Sequence, residues 1–325
     1  MFPGVWGHVM RAVLLAVVIA LAFSRSGAAA PPASCKLVLL NSIPITVTPD
    51  GSRALVTVAI NGTDEKFVLD TGGAATQISA EVAQELKLPV TDLNGKMLDI
   101  VGRASTRAVR VSTLGLGRLQ DRNTTLPVMT ASFDGAPFAG LFAADYMANY
   151  DVEVDFSAGK MNYFSQEHCP GKVVYWPATV GTAVPMRFWD HHLNLSVSLD
   201  GHAVRAMIDT GAPSTTLSAM TAKQEFGVPS EGAGGKAFEH VFEKLSFEGL
   251  EVKNPNILVL PDLIGSKDPN NGYVTGSRLH RTDDPDSADP VMLIGMNILS
   301  KLHLYIAFSE HMIYITPASG PPQQQ

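Results

Sequence analysis

Apolar and polar positions alternate through Val56-Thr57-Val58-Ala59-Ile60, break at Asn61-Gly62, and give way to the apolar run Phe67-Val68-Leu69. Alternation of period two predicts a half-buried strand, Asn-Gly predicts a two-residue hairpin turn, and the short apolar run predicts a more deeply buried partner strand. The same phrase returns later. Leu195-Ser196-Val197-Ser198-Leu199 alternates, Asp200-Gly201 turns, and Ala206-Met207-Ile208 runs apolar. Each hairpin leads into the same triplet, Asp70-Thr71-Gly72 and Asp209-Thr210-Gly211, at an offset of 139 residues.

The repeat persists downstream, with Ile78-Ser79 matching Leu217-Ser218 and, after one inserted residue, Gln84-Glu85-Leu86 matching Gln224-Glu225-Phe226. Short helices are predicted over Ala80 to Leu86 and Ala219 to Phe226, each followed by Leu-Pro or Val-Pro. The two halves also close alike: Leu141-Phe142-Ala143 corresponds to Leu293-Ile294-Gly295, and Val152 to Phe156 corresponds to Leu304 to Phe308. These patterns predict a mostly β chain of two related lobes, 36–168 and 184–317. Pro170, Gly171, Pro177 and Gly181 mark 169–183 as the linker. Residues 262–290 read as a long surface loop, and 318–325 as a disordered tail.

Composition narrows the function. With 46% hydrophobic residues the chain can bury a sizeable core, and a net charge of −7 with scattered basic residues argues against nucleic acid as a partner. At the start, His8 and Arg11 precede the apolar run Ala12 to Phe23, and small residues follow. That profile predicts a signal peptide over 1–29 and an exported protein, periplasmic or secreted, with no membrane association after cleavage. Export bears on Cys35 and Cys169, the only two cysteines. An oxidising compartment favours one disulfide between them, the alternative being two buried thiols. Neither has zinc-site spacing, no metal or other cofactor is expected, and His191-His192 reads as a solvated turn.

A single Asp-Thr-Gly is weak evidence, but two in the same repeated context are not accidental. On these residues the chain resembles the pepsin and retropepsin aspartic proteases, in which each of two lobes donates one Asp-Thr-Gly loop and an apolar-apolar-Gly segment follows late in the lobe. Leu293-Ile294-Gly295 fits that segment. The resemblance implies two β-barrel-like lobes with a cleft between them, and Asp70 and Asp209 as a catalytic pair acting without metal on a peptide or protein substrate. Thr71, Gly72, Thr210 and Gly211 are then the residues supporting the two loops. Such a pair can work because two adjacent carboxylates share one proton, leaving one group to act as base and the other as acid. With both carboxylates in one chain, a monomer is expected.

The resemblance also implies a flap, for which Val101-Gly102 and Gly234-Gly235 are the candidates. Two positions depart from the family pattern: Ala143 stands where Gly is usual and is expected to crowd the Asp70 loop, and Gly73 stands where Ala, Ser or Thr is usual. The competing reading is a catalytically silent, protease-like peptide-binding protein.

Overall fold

A computed structural model describes residues 35–98, 104–129, 138–189, 191–229, 236–261 and 290–318. The first half opens with β1 (Leu39–Val47), β2 (Ala54–Ile60), β3 (Thr63–Asp70), β4 (Gln77–Ile78) and α1 (Ala80–Glu85). It continues through β5 (Val90–Leu98), β6 (Ala104–Leu116), β7 (Leu119–Pro127), β8 (Gly140–Ala143), β9 (Asp151–Asp155) and β10 (Lys160–Phe164). The second half opens with β11 (Thr182–Trp189), β12 (His192–Leu199), β13 (His202–Ile208), β14 (Thr216–Ser218) and α2 (Ala219–Phe226). Then come β15 (Phe238–Val241), β16 (Lys244–Phe247), β17 (Leu250–Lys253) and β18 (Asn256–Leu260). The last elements are β19 (Met292–Ile294), α3 (Met296–Leu299), β20 (Leu302–Ala307) and β21 (Met312–Pro317).

Local chemistry explains the repeated parts. Asn61 and Gly62 both take positive φ, as do Asp200 and Gly201, which is the backbone a tight hairpin turn requires. Helices α1 and α2 are each capped by a serine: Ser79 Oγ accepts the Val82 N–H at 3.2 Å and Ser218 Oγ accepts the Thr221 N–H at 3.3 Å. Gly227 ends α2 in the left-handed region.

Each half has its own sheet. In the first, β2 pairs with β3, and β3 lies parallel to β8 with Asp70 opposite Ala143. In the second, β12 pairs with β13, and β13 lies parallel to β19 with Ile208 opposite Ile294. A third, antiparallel sheet joins the halves in the order β1, β10, β9, β20, β21, β11, with Leu304 opposite Val154 at its centre. Strands β1 and β11 each serve two sheets. The exchange falls at Pro44, after which Ile45 pairs with β2, and at Pro185, after which Met186 pairs with β12. A proline lacks the N–H that would continue the first ladder, so the strand leaves it there.

One face of the joining sheet sends Val152, Val154, Leu304 and Ile306 into the main core. The other face carries acids and histidines and is covered by the segment between the halves. His168 Nε2 makes a short contact with Asp151, and His303 Nε2 meets Glu153 at 2.7 Å beneath the stacked ring of Trp176. Tyr175 donates its hydroxyl to Glu153 at 2.6 Å. Cys35 and Cys169 form a disulfide that fastens the start of this segment. Buried charge is tolerated here because each carboxylate faces an imidazole or a hydroxyl.

Candidate active site

Strands β3 and β13 end at Asp70 and Asp209, and the loops that follow meet between the halves. Thr71 Oγ1 donates to the Ile208 carbonyl at 2.8 Å and accepts the Thr210 N–H at 3.1 Å. Thr210 Oγ1 donates to the Leu69 carbonyl at 2.7 Å and accepts the Thr71 N–H at 3.0 Å. All four bonds cross from one half to the other and are buried, so water cannot replace a lost partner and the two loops are held in fixed register.

The lock sets two carboxylates side by side. Asp70 Oδ1 accepts the Gly72 N–H at 3.1 Å, and Asp209 Oδ1 accepts the N–H groups of Gly211 at 2.9 Å and Ala212 at 3.1 Å. The Asp209 carboxyl lies close enough to bear on that of Asp70. Burial first, and then the neighbouring Asp209, push the Asp70 carboxyl well above the usual range; the Gly72 N–H and the Arg53 charge work against that rise. The pair therefore retains a proton where an exposed carboxyl has lost it. Glycine is required at 211, because a Cβ there would collide with the Asp70 carboxylate. Leu69, Phe142, Ile208 and Ile294 are buried around the loops.

A second layer supports each loop. Thr76 donates from N and Oγ1 to Asp145 at 3.0 and 2.7 Å, and its hydroxyl accepts the Ala143 N–H at 3.0 Å. In the other half Thr215 donates from N and Oγ1 to Asn297 Oδ1, both at 2.7 Å, and accepts the Gly295 N–H at 3.1 Å. A Cβ on Gly73 would lie 2.9 Å from Asp70 Oδ2, so a side chain there would press on that carboxylate itself, while Ala143 Cβ would stand at an ordinary 3.4 Å.

Sequence reasoning brought out both Asp-Thr-Gly loops and missed this second layer, although Thr76 and Thr215 stand at the same offset as the aspartates. It also missed two contacts between the halves. Arg53 Nη1 donates to the Gly211 carbonyl, and His191 Nδ1 lies 2.6 Å from the Ala74 carbonyl, so the supposedly solvated His191 touches the first loop. The flap candidates Val101, Gly102, Gly234 and Gly235 lie outside the described residues.

Comparisons with known proteins agree with this arrangement. The chain shares its fold with an aspartic proteinase from Irpex lacteus at a TM-score of 0.52 and 13% identity, over 87% of this chain and 98% of that one. Basic 7S globulin from soybean aligns at a TM-score of 0.47 and 10% identity, over 88% of this chain and 96% of the globulin. No curated protein sequence matches the chain. The family model described as Aspartyl protease matches twice, over 56–146 and 195–298, each match holding one Asp-Thr-Gly loop and its second layer. With more than half of its length matched in this way, the chain belongs to the aspartyl protease family.

Proposed function

We propose that the protein is an exported aspartic endopeptidase in which Asp70 and Asp209 activate a water molecule to hydrolyse peptide bonds. The observation that carries this reading is the cross-bonded pair of threonines, which brings two buried carboxylates, one from each half, to the same place. Like charges this close favour a singly protonated pair. In that state the ionised carboxylate takes a proton from water while the protonated one gives its proton to the scissile carbonyl oxygen. The resulting gem-diol breaks its C–N bond as the leaving amine is protonated, and the pair returns to one shared proton.

An extended peptide lying across the cleft as an added strand is the substrate class that suits this site. The Cys35–Cys169 disulfide supports the export reading, since such bonds persist in oxidising compartments.

The test is incubation of the purified protein with a mixed peptide library from acid to neutral pH, with sequencing of the products. Asp70→Asn and Asp209→Asn are each expected to abolish cleavage while the protein still folds and unfolds cooperatively. Peptide binding without any product in the wild type would replace this reading with that of a silent binding protein.

A further inference from the structure

The turn between β1 and β2 is fastened more tightly than an exposed loop requires. The Asp50 carboxylate accepts the Thr48 hydroxyl at 2.6 Å, the Ser52 N–H at 3.0 Å and the Ser52 hydroxyl at 2.7 Å. These bonds, that of Thr48 foremost, pull Asp50 down to about 2, so the turn keeps its anchor in acid. Thr48 Oγ1 accepts the Arg53 N–H at 3.0 Å, while the Thr48 N–H donates to the Arg53 carbonyl at 2.9 Å. Everything in the turn converges on Arg53. Its guanidinium leaves its own half of the molecule and donates from Nη1 to the carbonyl of Gly211, whose α-carbon backs against Asp70.

We propose that Arg53 is a positioning residue of the carboxylate pair: its bond to Gly211 fixes the Asp209 loop from the opposite half and holds a cation beside the pair. A guanidinium stays charged at any working pH, so it supplies a constant field. Among the described residues, Asp209 opposes the ionisation of Asp70 and Arg53 favours it. Asp50, on Arg53's own turn, is held by Thr48 and Ser52. Amide donors to the carboxylates cannot do the same work, because they are fixed by the loops themselves. Arg53 joins a charge beside the pair to a contact between the halves. The consequence for hydrolysis rests on the proposed function; the effect on ionisation does not.

The two can be tested separately. Aspartate carboxyl carbons labelled with ¹³C are followed by NMR across pH in the wild type, Arg53→Gln and Arg53→Lys, with Asp70→Asn identifying the resonances of the pair. Gln keeps a donor for Gly211 and removes the charge; Lys keeps the charge and removes the planar fork. In Arg53→Gln the first ionisation of the pair is expected to rise by about half to one pH unit, and in Arg53→Lys to stay within about 0.2 unit. The acid limb of kcat/KM should move with it, and Arg53→Lys should lower kcat without moving that limb. A folded Arg53→Gln protein that titrates like the wild type would overturn the proposal, as would Arg53→Lys shifting as far as Arg53→Gln. If the carboxyl titration shifts in a protein that cleaves no peptide, the proposed function fails and the role of Arg53 in ionisation stands.

Discussion

The two halves hold their Asp loops in the same geometry with some of the parts exchanged. Gly73 faces Ala143 in the first half, whereas the second half places Ala212 beside Gly295. The first contact is between side-chain positions, whereas Gly295 meets main chain, that of Ser214 and the Ala212 carbonyl oxygen. The acceptor beneath each loop differs too: Asp145 receives Thr76 in the first half, and Asn297 receives Thr215 in the second. What packing conserves is the space and the acceptor geometry at the contact, and several residue combinations satisfy it.

That comparison can be broken most severely at Gly295. A Cβ there would lie 2.5 Å from the Ser214 main-chain carbon and oxygen and 2.9 Å from the Ala212 carbonyl oxygen. Main chain cannot yield as a side chain can, so Gly295→Ala is expected to cost about 3 kcal/mol in denaturant unfolding. Ala212→Gly should not rescue it, since the nearest atoms belong to Ser214. The converse change, Ala143→Gly, should cost only about 1 kcal/mol.

Asp145→Asn makes the first half resemble the second, with an effect that depends on pH. Burial raises the Asp145 carboxyl, while the Thr76 bonds and His191 oppose that rise. A carboxyl raised on folding contributes its stability below its unfolded pKa, about 4, and loses it as pH climbs through the folded value. Asn therefore gains over Asp above that range. Melting temperatures should coincide near pH 3 and favour Asp145→Asn at pH 7; an advantage confined to acid would contradict the assignment.

The smallest effect concerns the missing hydroxyls. Gly73 and Ala212 offer no side-chain donor to the carboxylates, and a serine donor would favour the charged form. Ala212→Ser and Gly73→Ser, the latter with its new side chain against the Asp70 carboxylate, should together lower the pH optimum of cleavage by a few tenths of a unit. An unmoved optimum would show that these positions do not tune the pair.

Much of this was legible in the sequence because it is encoded locally. Asn61-Gly62 and Asp200-Gly201 specify their turns, Ser79 and Ser218 cap the helices beside them, and the Asp-Thr-Gly loops follow apolar strands. The strand exchanges were written as plainly, in Ile43-Pro44-Ile45 and Val184-Pro185-Met186, yet a proline reveals where a ladder stops and not which strand comes next. Arg53 was illegible for a different reason. Its partner Gly211 is 158 residues away, and no periodicity links an arginine in a turn to a carbonyl in the other half.

At the centre of the joining sheet, β9 of the first half pairs antiparallel with β20, its counterpart in the second. Separated halves would each present that strand as an open edge, and the natural way to close such an edge is with a copy of oneself. In a symmetric pair of identical halves, every substitution appears twice. Asp145 could not be exchanged for an amide on one side only, and a cation reaching one Asp loop would be accompanied by a second reaching the other. Joining the halves in one chain lifts that restriction, since the two copies stay together at high effective concentration while their sequences drift apart. The covalent link thus supplies a broken symmetry, which lets two chemically identical carboxylates acquire different surroundings.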